Sequence, residues 1–166
     1  MAHPYPPRSV HLRYNGQQHY FLTFCTDQRS HFFVQEAPVA LVRAQILRAA
    51  REERFELSAY CFMPDHVHLI ASGLDESSDA KAFISRSKQY SGYYFKHEHG
   101  LRLWQRYGYE RVVRDDDELA LIVGYIVGNP VRAGLVSDPV EYPFLGSECY
   151  SLPELLSMCK YAGSAE

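Results

Sequence analysis

Two apolar runs, Leu57 to Met63 and Val67 to Ala71, are separated by Pro64-Asp65-His66 alone. So short a link cannot carry a crossover, so the runs fold back on one another as an antiparallel hairpin around a Met63-Pro64-Asp65 turn. Alternate side chains of a strand share a face, which puts His66 and His68 together while Val67 and Leu69 point the other way. Two neutral imidazoles on one face make half of a metal site. Such a site needs one or two further ligands, usually oxygens if the ion is Mg²⁺ or Mn²⁺. A pair of strand histidines facing solvent or a polar core neighbour fits the same triplet equally well.

A second constellation lies at Tyr125 to Gly134. Leu119, Ile122, Val123, Ile126 and Val127 recur at helical spacing and predict an amphipathic helix. Asp115, Asp116 and Asp117 lead into it, where carboxylates suit the dipole and a cap. Pro130 is expected to close it, because the residue before a proline avoids the α region. Tyr125 and Asn129, four apart, share a flank bordering the buried stripe, from which a phenol and an amide oxygen face whatever the helix packs on. In a chain with 13 tyrosines, half-buried packing accounts for such a residue as readily. Gly124 and Gly128 fall on the expected outer face, open to close approach of DNA or another helix, or simply tolerated there.

Taken together, Met63-Pro64-Asp65-His66-Val67-His68-Leu69, Leu103-Trp104-Gln105, Tyr125-Ile126 with Asn129-Pro130-Val131-Arg132-Ala133-Gly134, and Tyr142-Pro143 resemble the single-tyrosine HUH transposases of the IS200/IS605 type, and most of all their REP-associated branch. The resemblance covers Tyr20 to Ser147, and the order and spacing of the blocks are more specific than either motif alone. It implies a ferredoxin-like HUH palm and an enzyme that cuts and rejoins single-stranded or hairpin DNA. It also implies a divalent ion, Mg²⁺ or Mn²⁺, held by His66, His68 and Asn129, with Tyr125 as the nucleophile. Attack by Tyr125 would leave a 5′-phosphotyrosine and a free 3′-hydroxyl. The covalent link keeps the bond energy, so strand transfer needs no nucleotide cofactor. Histidine ligation implies loss of activity as the imidazoles protonate. The resemblance further implies a transposase domain over residues 1–147 with a helical extension at 148–166, as a monomer with its site in cis or a homodimer that exchanges the tyrosine helix. Tyr90, Tyr93 and Tyr94 rank below Tyr125 because the residues four further on are Tyr94, His97 and Glu98, of which only Glu98 could ligate.

The formal charge of −3, from 17 Lys+Arg against 20 Asp+Glu, does not advertise a nucleic-acid partner, but distribution matters more than the total. Between Asp79 and Glu98 the segment holds Lys81, Arg86, Lys88 and Lys96 and no acid, which suits either phosphates or a solvated helix face. Arg86, Lys88, Lys96 and Arg132 are the candidate phosphate contacts. Trp104, Tyr107 and Tyr109 are candidates for stacking on unpaired bases, with Trp104 expected to be half in the core. Cys25, Cys61, Cys149 and Cys159 show neither a C-x-x-C pair nor zinc spacing. With no signal peptide and no span long enough for a bilayer, they read as reduced thiols of a cytoplasmic protein. Met1 to Arg8 and Ala162 to Glu166 read as loose ends.

At 166 residues the chain fits one domain. His19 to Thr26 is a first strand, with Tyr20, Leu22 and Phe24 opposite Phe21, Thr23 and Cys25. Gln35 to Arg54 is a helix, Phe55 to Phe62 and Val67 to Ser72 are the hairpin strands, and Ser77 or Ser78 caps a second helix. Its buried stripe is expected to be Ala80, Phe83, Ile84, Ser87, Ser91, Tyr94 and Phe95. A short strand at Glu110 to Val113 precedes the Tyr125 helix, and Ser151-Leu152-Pro153-Glu154 is a capping box opening a terminal helix. The pattern is α+β, an antiparallel-rich sheet with helices packed on it. Strand order is not fixed by such a pattern. Two other functional classes fit the same residues: a DNA-binding module that keeps the fold without catalysis, and a metal phosphodiesterase that uses water as nucleophile.

Overall fold

Residues 16–159 are described in the structure, a computed structural model; the expectations for Met1 to Arg8 and Ala162 to Glu166 lie outside them. In chain order the elements are β1 (His19–Cys25), α1 (Glu36–Glu52), β2 (Phe55–Met63), β3 (His66–Gly73), α2 (Ala80–His99), β4 (Tyr109–Val113), α3 (Asp116–Arg132), β5 (Leu145–Gly146) and α4 (Leu152–Met158). The strands form one sheet in the order β4-β1-β3-β2-β5, with every neighbouring pair antiparallel. Setting β5 aside, this is the βαββαβ unit of the ferredoxin-like palm, in which β3 is inserted between β1 and β2. The short β5 falls where the sequence pattern was irregular.

The two crossover helices, α1 and α2, pack together on one face. Aromatic rings fill that layer: Tyr20 lies 5.9 Å from Phe55, Phe55 stacks on Phe83 at 5.1 Å, and Phe24 meets Trp104 edge-on at 5.6 Å. The opposite face is covered by α3, whose Tyr125 ring stands 6.1 Å from Phe21. Covering both faces explains why the interiors of β1, β2 and β3 are almost continuously buried rather than alternating.

The hairpin between β2 and β3 turns through Pro64 and Asp65, with Met63 paired to His66. The segment after β1 grips its tip: Phe33 N donates to Pro64 O at 3.0 Å, and Thr26 donates to Asp65 O through both its backbone N and its Oγ1. Within that segment Gln28 and Arg29 adopt left-handed backbone, φ 52° and 54°. This costs a residue with a Cβ on the order of 1 kcal/mol, so the surrounding contacts must impose it.

Four local expectations are corrected. The cap of α2 is Asp79, whose side chain accepts from Ala82 N, and neither serine fills the position. Ser78 Oγ is occupied instead in the preceding loop, accepting from Leu74 N and Asp75 N and donating to Arg54 O. In the α2 stripe Ala80, Phe83, Ser87, Ser91 and Phe95 are buried, but Ile84 is half-buried and Tyr94 is exposed. Helix α3 runs through Pro130 to Arg132. A proline in the last turn removes only its own N–H from the ladder, and the helix closes three residues later. There Leu135 N donates to Pro130 O and Gly134 N to Val131 O, with Gly134 at φ 73°, a conformation natural to glycine. Gly128 is buried and not on the outer face, whereas Gly124 gives α4 room: a Cβ there would lie 3.3 Å from Cys159 Cβ.

The outer edge of β2 is fully engaged along much of its length. β5 pairs with Tyr60 and Cys61, Phe62 N donates to Phe144 O, and Tyr142 Oη donates to Phe62 O. Leu57 N donates to the Glu148 carboxylate and Leu57 O accepts from Glu148 N. The capping box of α4 forms as its sequence predicts, and Leu155 is buried. Among the described residues no helix is long and apolar enough to cross a membrane.

Candidate active site

Strand β3 presents His66 and His68 on the face that α3 covers. The two Nε2 atoms approach to 3.1 Å and the rings to 4.6 Å, so both imidazoles converge on one point. Each ring is held from behind. Asp65 Oδ1 lies 2.7 Å from His66 Nδ1, and Thr23 Oγ1, opposite His68 in the β1–β3 register, lies 2.8 Å from His68 Nδ1. His68 and Thr23 are both buried. Burial pushes the Asp65 carboxyl up, but its hydrogen bond to His66 and the charges of His66 and Arg29 outweigh this and hold it below the usual carboxylate range. Arg29 Nε completes the support at 2.9 Å from Asp65 Oδ2. An ionised carboxylate can only accept, which makes Nδ1 a protonated nitrogen of His66; once the ring is neutral the lone pair lies on Nε2.

Tyr125 comes from α3. Its ring is 5.5 Å from the His68 ring and half-buried against Phe21. Arg132, seven residues on, curls back so that Nη2 donates to Tyr125 O and its guanidinium lies 4.4 Å from the Tyr125 ring centroid. Asn129 follows Tyr125 by one turn, and its Nδ2 is buried without a hydrogen-bond partner. An unpartnered buried amide is costly. A half-turn of the amide exchanges nitrogen for oxygen, so the same position can present an oxygen to a ligand.

These donors fit a divalent ion. With both Nε2 atoms unprotonated, their lone pairs at 3.1 Å would repel unless a cation lay between them. The separation is close to the roughly 3 Å between adjacent ligands each ~2.1 Å from one octahedral ion. No cluster of three or more His, Cys, Asp or Glu side chains with metal-holding arrangement occurs among the described residues. Two imidazoles with an amide leave several positions for water and phosphate oxygens, the preference of Mg²⁺ and Mn²⁺.

The sequence matches the family described as Transposase IS200 like over residues 15–129, a span that contains both histidines and ends on Asn129. The chain belongs to the IS200-like transposase family. It is 30% identical to the REP-associated tyrosine transposase of Escherichia coli (strain K12) over 139 residues, covering 82% of this chain and 81% of that one. A solved REP-associated tyrosine transposase bound to a REP hairpin superposes with a TM-score of 0.69 at 26% identity, over 83% of this chain and 82% of that one. A bacterial tRNA(His) guanylyltransferase-like protein in complex with GTP shares the fold alone, with a TM-score of 0.50 at 8% identity over 70% of this chain and 63% of its own. The sequence resemblance to single-tyrosine transposases is thereby upheld, and with it the standing of this IS200-like transposase as an enzyme.

Within this transposase the residues expected to touch DNA fall into two groups. Arg132 lies on the α3 face with Tyr125. Arg86, Lys88, Lys96 and Trp104 lie with α2 and the loop after it, on the other side of the sheet. Arg86 is engaged by Glu52 and Glu53 of α1, both at 2.8 Å. Lys88 is half-buried, with Nζ 2.9 Å from Gln105 O, and burial pushes its ammonium below the usual lysine range. Trp104 is only 5% exposed and donates Nε1 to Ser91 Oγ, so it is core and not a stacking platform. Of the rival tyrosines, Tyr90 hydrogen-bonds Glu52, and all three sit on α2, across the sheet from the histidines. Thr23, Asp65 and Arg29 escaped the sequence reading as supports of the site. A lone threonine in an otherwise apolar strand, and a carboxylate adjoining the first histidine, were the available signals.

Proposed function

We propose that this protein is a metal-dependent single-stranded DNA endonuclease and strand transferase that acts through a 5′-phosphotyrosine at Tyr125, on hairpin or palindromic DNA. The observation that carries this reading is the convergence of the two Nε2 atoms at 3.1 Å beside the Tyr125 ring. His66, His68 and Asn129 would hold the ion, Mg²⁺ or Mn²⁺. When bound, a divalent ion polarises the phosphodiester and offsets the charge that repels a nucleophile.

The chain's own groups account for the rest. Tyr125 Oη gives up its proton and attacks phosphorus. The 3′-oxygen leaves and takes up a proton, and the phosphate stays on Tyr125 until a 3′-hydroxyl reverses the step. The Arg132 guanidinium presents positive charge to the ring that becomes phenolate. Asp65 holds the His66 imidazole with its proton on Nδ1, and Thr23 holds the orientation of the His68 ring. Tyr125 faces His68 of its own chain, which supports a monomer with its site in cis. The hairpin bound by the solved relative supports hairpin DNA as the partner. Residues 1–147 form the catalytic domain in this reading, with 148–166 an extension of it tied on through Glu148 and Leu155. Cys25, Cys61, Cys149 and Cys159 are free thiols, which suits the reducing cytoplasm.

The test is a covalent-adduct assay with a labelled hairpin oligonucleotide carrying single-stranded flanks, in Mg²⁺, Mn²⁺ or EDTA. A metal-dependent shifted band on a denaturing gel, absent in Tyr125→Phe, is the expected result. Cleavage without an adduct and unchanged in Tyr125→Phe would identify a water-using phosphodiesterase. Binding with neither adduct nor cleavage would identify a DNA-binding module.

A further inference from the structure

Across the sheet from Tyr125, α2 and the loop that follows it line a shallow, open cavity of about 530 Å³. Its wall carries Lys88, Lys96, Arg102 and Arg106 and no carboxylate, with Tyr93 at its rim 66% exposed; Arg102 Nε donates to Trp104 O at 3.0 Å and lies 3.8 Å from Asp27 Oδ1, while its side chain stays largely open to solvent. A second cavity of about 530 Å³ shares Lys88 and Arg106 with the first and continues past Tyr107 to Tyr109; Glu110 is the one carboxylate in its wall. Tyr107 is 69% exposed, and the Arg106 guanidinium lies 5.4 Å from its ring. Tyr109 then stands 5.8 Å from Phe21, the residue that flanks Tyr125 on the catalytic face. Among the described residues β4 is the outermost strand, and no further strand lies beyond that edge.

The alternation of cations with exposed rings decides which nucleic acid suits this surface. A duplex keeps its bases stacked inside and offers only phosphates, leaving Tyr93 and Tyr107 without a role. An unpaired strand offers both phosphates and free base faces. We propose that this surface is a track for the single-stranded segment flanking the cleaved phosphate. Its backbone lies on Lys96, Arg102 and Arg106, its bases stack on Tyr93 and Tyr107, and it turns round the β4 edge past Tyr109 to reach Tyr125. The proposal rests on the DNA-cleaving function above and adds where the flank runs.

The test uses the full chain and a hairpin oligonucleotide with single-stranded flanks lengthened from none to about 16 nucleotides, the upper span of a single-strand-binding fold. Affinity of the unsubstituted protein is expected to rise with flank length. Arg102→Glu combined with Arg106→Glu removes that rise, weakening long-flank binding by ~10-fold or more and lowering the salt slope by about 1.4, two phosphates' worth. Tyr93→Ala, which leaves the charge untouched, weakens long-flank binding by ~5-fold or more. Both variants keep the unfolding midpoint and the cleavage rate of the shortest cleavable hairpin. A flank dependence that survives in the variants overturns the track. So does a loss that follows stem length, which would assign the surface to duplex DNA. A protein that cleaves with no flank dependence also overturns the track while leaving the nuclease reading intact, and one that binds no oligonucleotide overturns both.

Discussion

On the side of the sheet covered by α1 and α2, β1 turns Tyr20 and Phe24 toward Phe55 and Trp104. On the side covered by α3, the same strand turns Phe21 and Thr23 toward Tyr125 and His68. The first layer is closed by ring packing, with Trp104 Nε1 donating to Ser91 Oγ and Ser87 Oγ buried without a partner. The second keeps polar atoms aimed at a common point, with the His66 and His68 rings each held by a partner behind it and the Asn129 amide left unpartnered. Period-two alternation lets one strand serve both purposes, so the stability of the domain and the orientation of its chemistry can be altered separately.

The sharpest way to break that separation is at Tyr125. Tyr125→Phe keeps the ring against Phe21 and His68, so adduct formation is expected to fall by on the order of 10³-fold or more, while the urea unfolding midpoint stays put. A shifted midpoint would mean that the hydroxyl also holds the fold. The reverse experiment is Phe83→Ala, which opens a void beneath Phe55 and is expected to cost about 3–5 kcal/mol in denaturant unfolding. The protein that remains folded in the cold should cleave at the unsubstituted rate per molecule, and a parallel loss of rate would show that the two layers are coupled.

Asp65→Asn probes the support behind the histidines. The carboxylate that fixes the His66 tautomer is lost, and Mn²⁺ affinity by calorimetry is expected to weaken by ~10–100-fold. Unchanged affinity would reduce Asp65 to a hairpin-tip residue. The smallest expected effect is Asp115→Ala, which removes the cap of α3. It should cost ~1 kcal/mol of stability, with adduct yield unchanged at saturating metal.

Much of this was legible from the sequence, for identifiable reasons. The hairpin followed from two apolar runs with almost nothing between them, and the shared face of the histidines from the strand period. The nine-element order emerged except for β5, which is too short to show a period. Side-chain competition was not legible. Ser78 looks like a cap but is occupied by the Arg54 carbonyl, and Arg86 looks like a phosphate contact but is occupied by carboxylates of α1. Both partners are more than twenty residues away in the chain. Thr23 acquires its role only through the strand register that sets it opposite His68. Pro130 shows the opposite limit: the rule that proline ends helices is local, and the helix passes it because the closing contacts at Gly134 lie beyond it.

The lining of β2's outer edge has a consequence for solubility. An apolar strand of nine residues at the side of a sheet is a template on which a second molecule could add its own strand. Here Leu57 is already taken by Glu148, Phe62 by Phe144 and Tyr142, and the stretch at Tyr60 and Cys61 is covered by β5. The segment after α3 therefore guards against aggregation: cutting the chain before Tyr142 would uncover a sticky edge and lead to self-association through strand addition, even with every residue of the site in place.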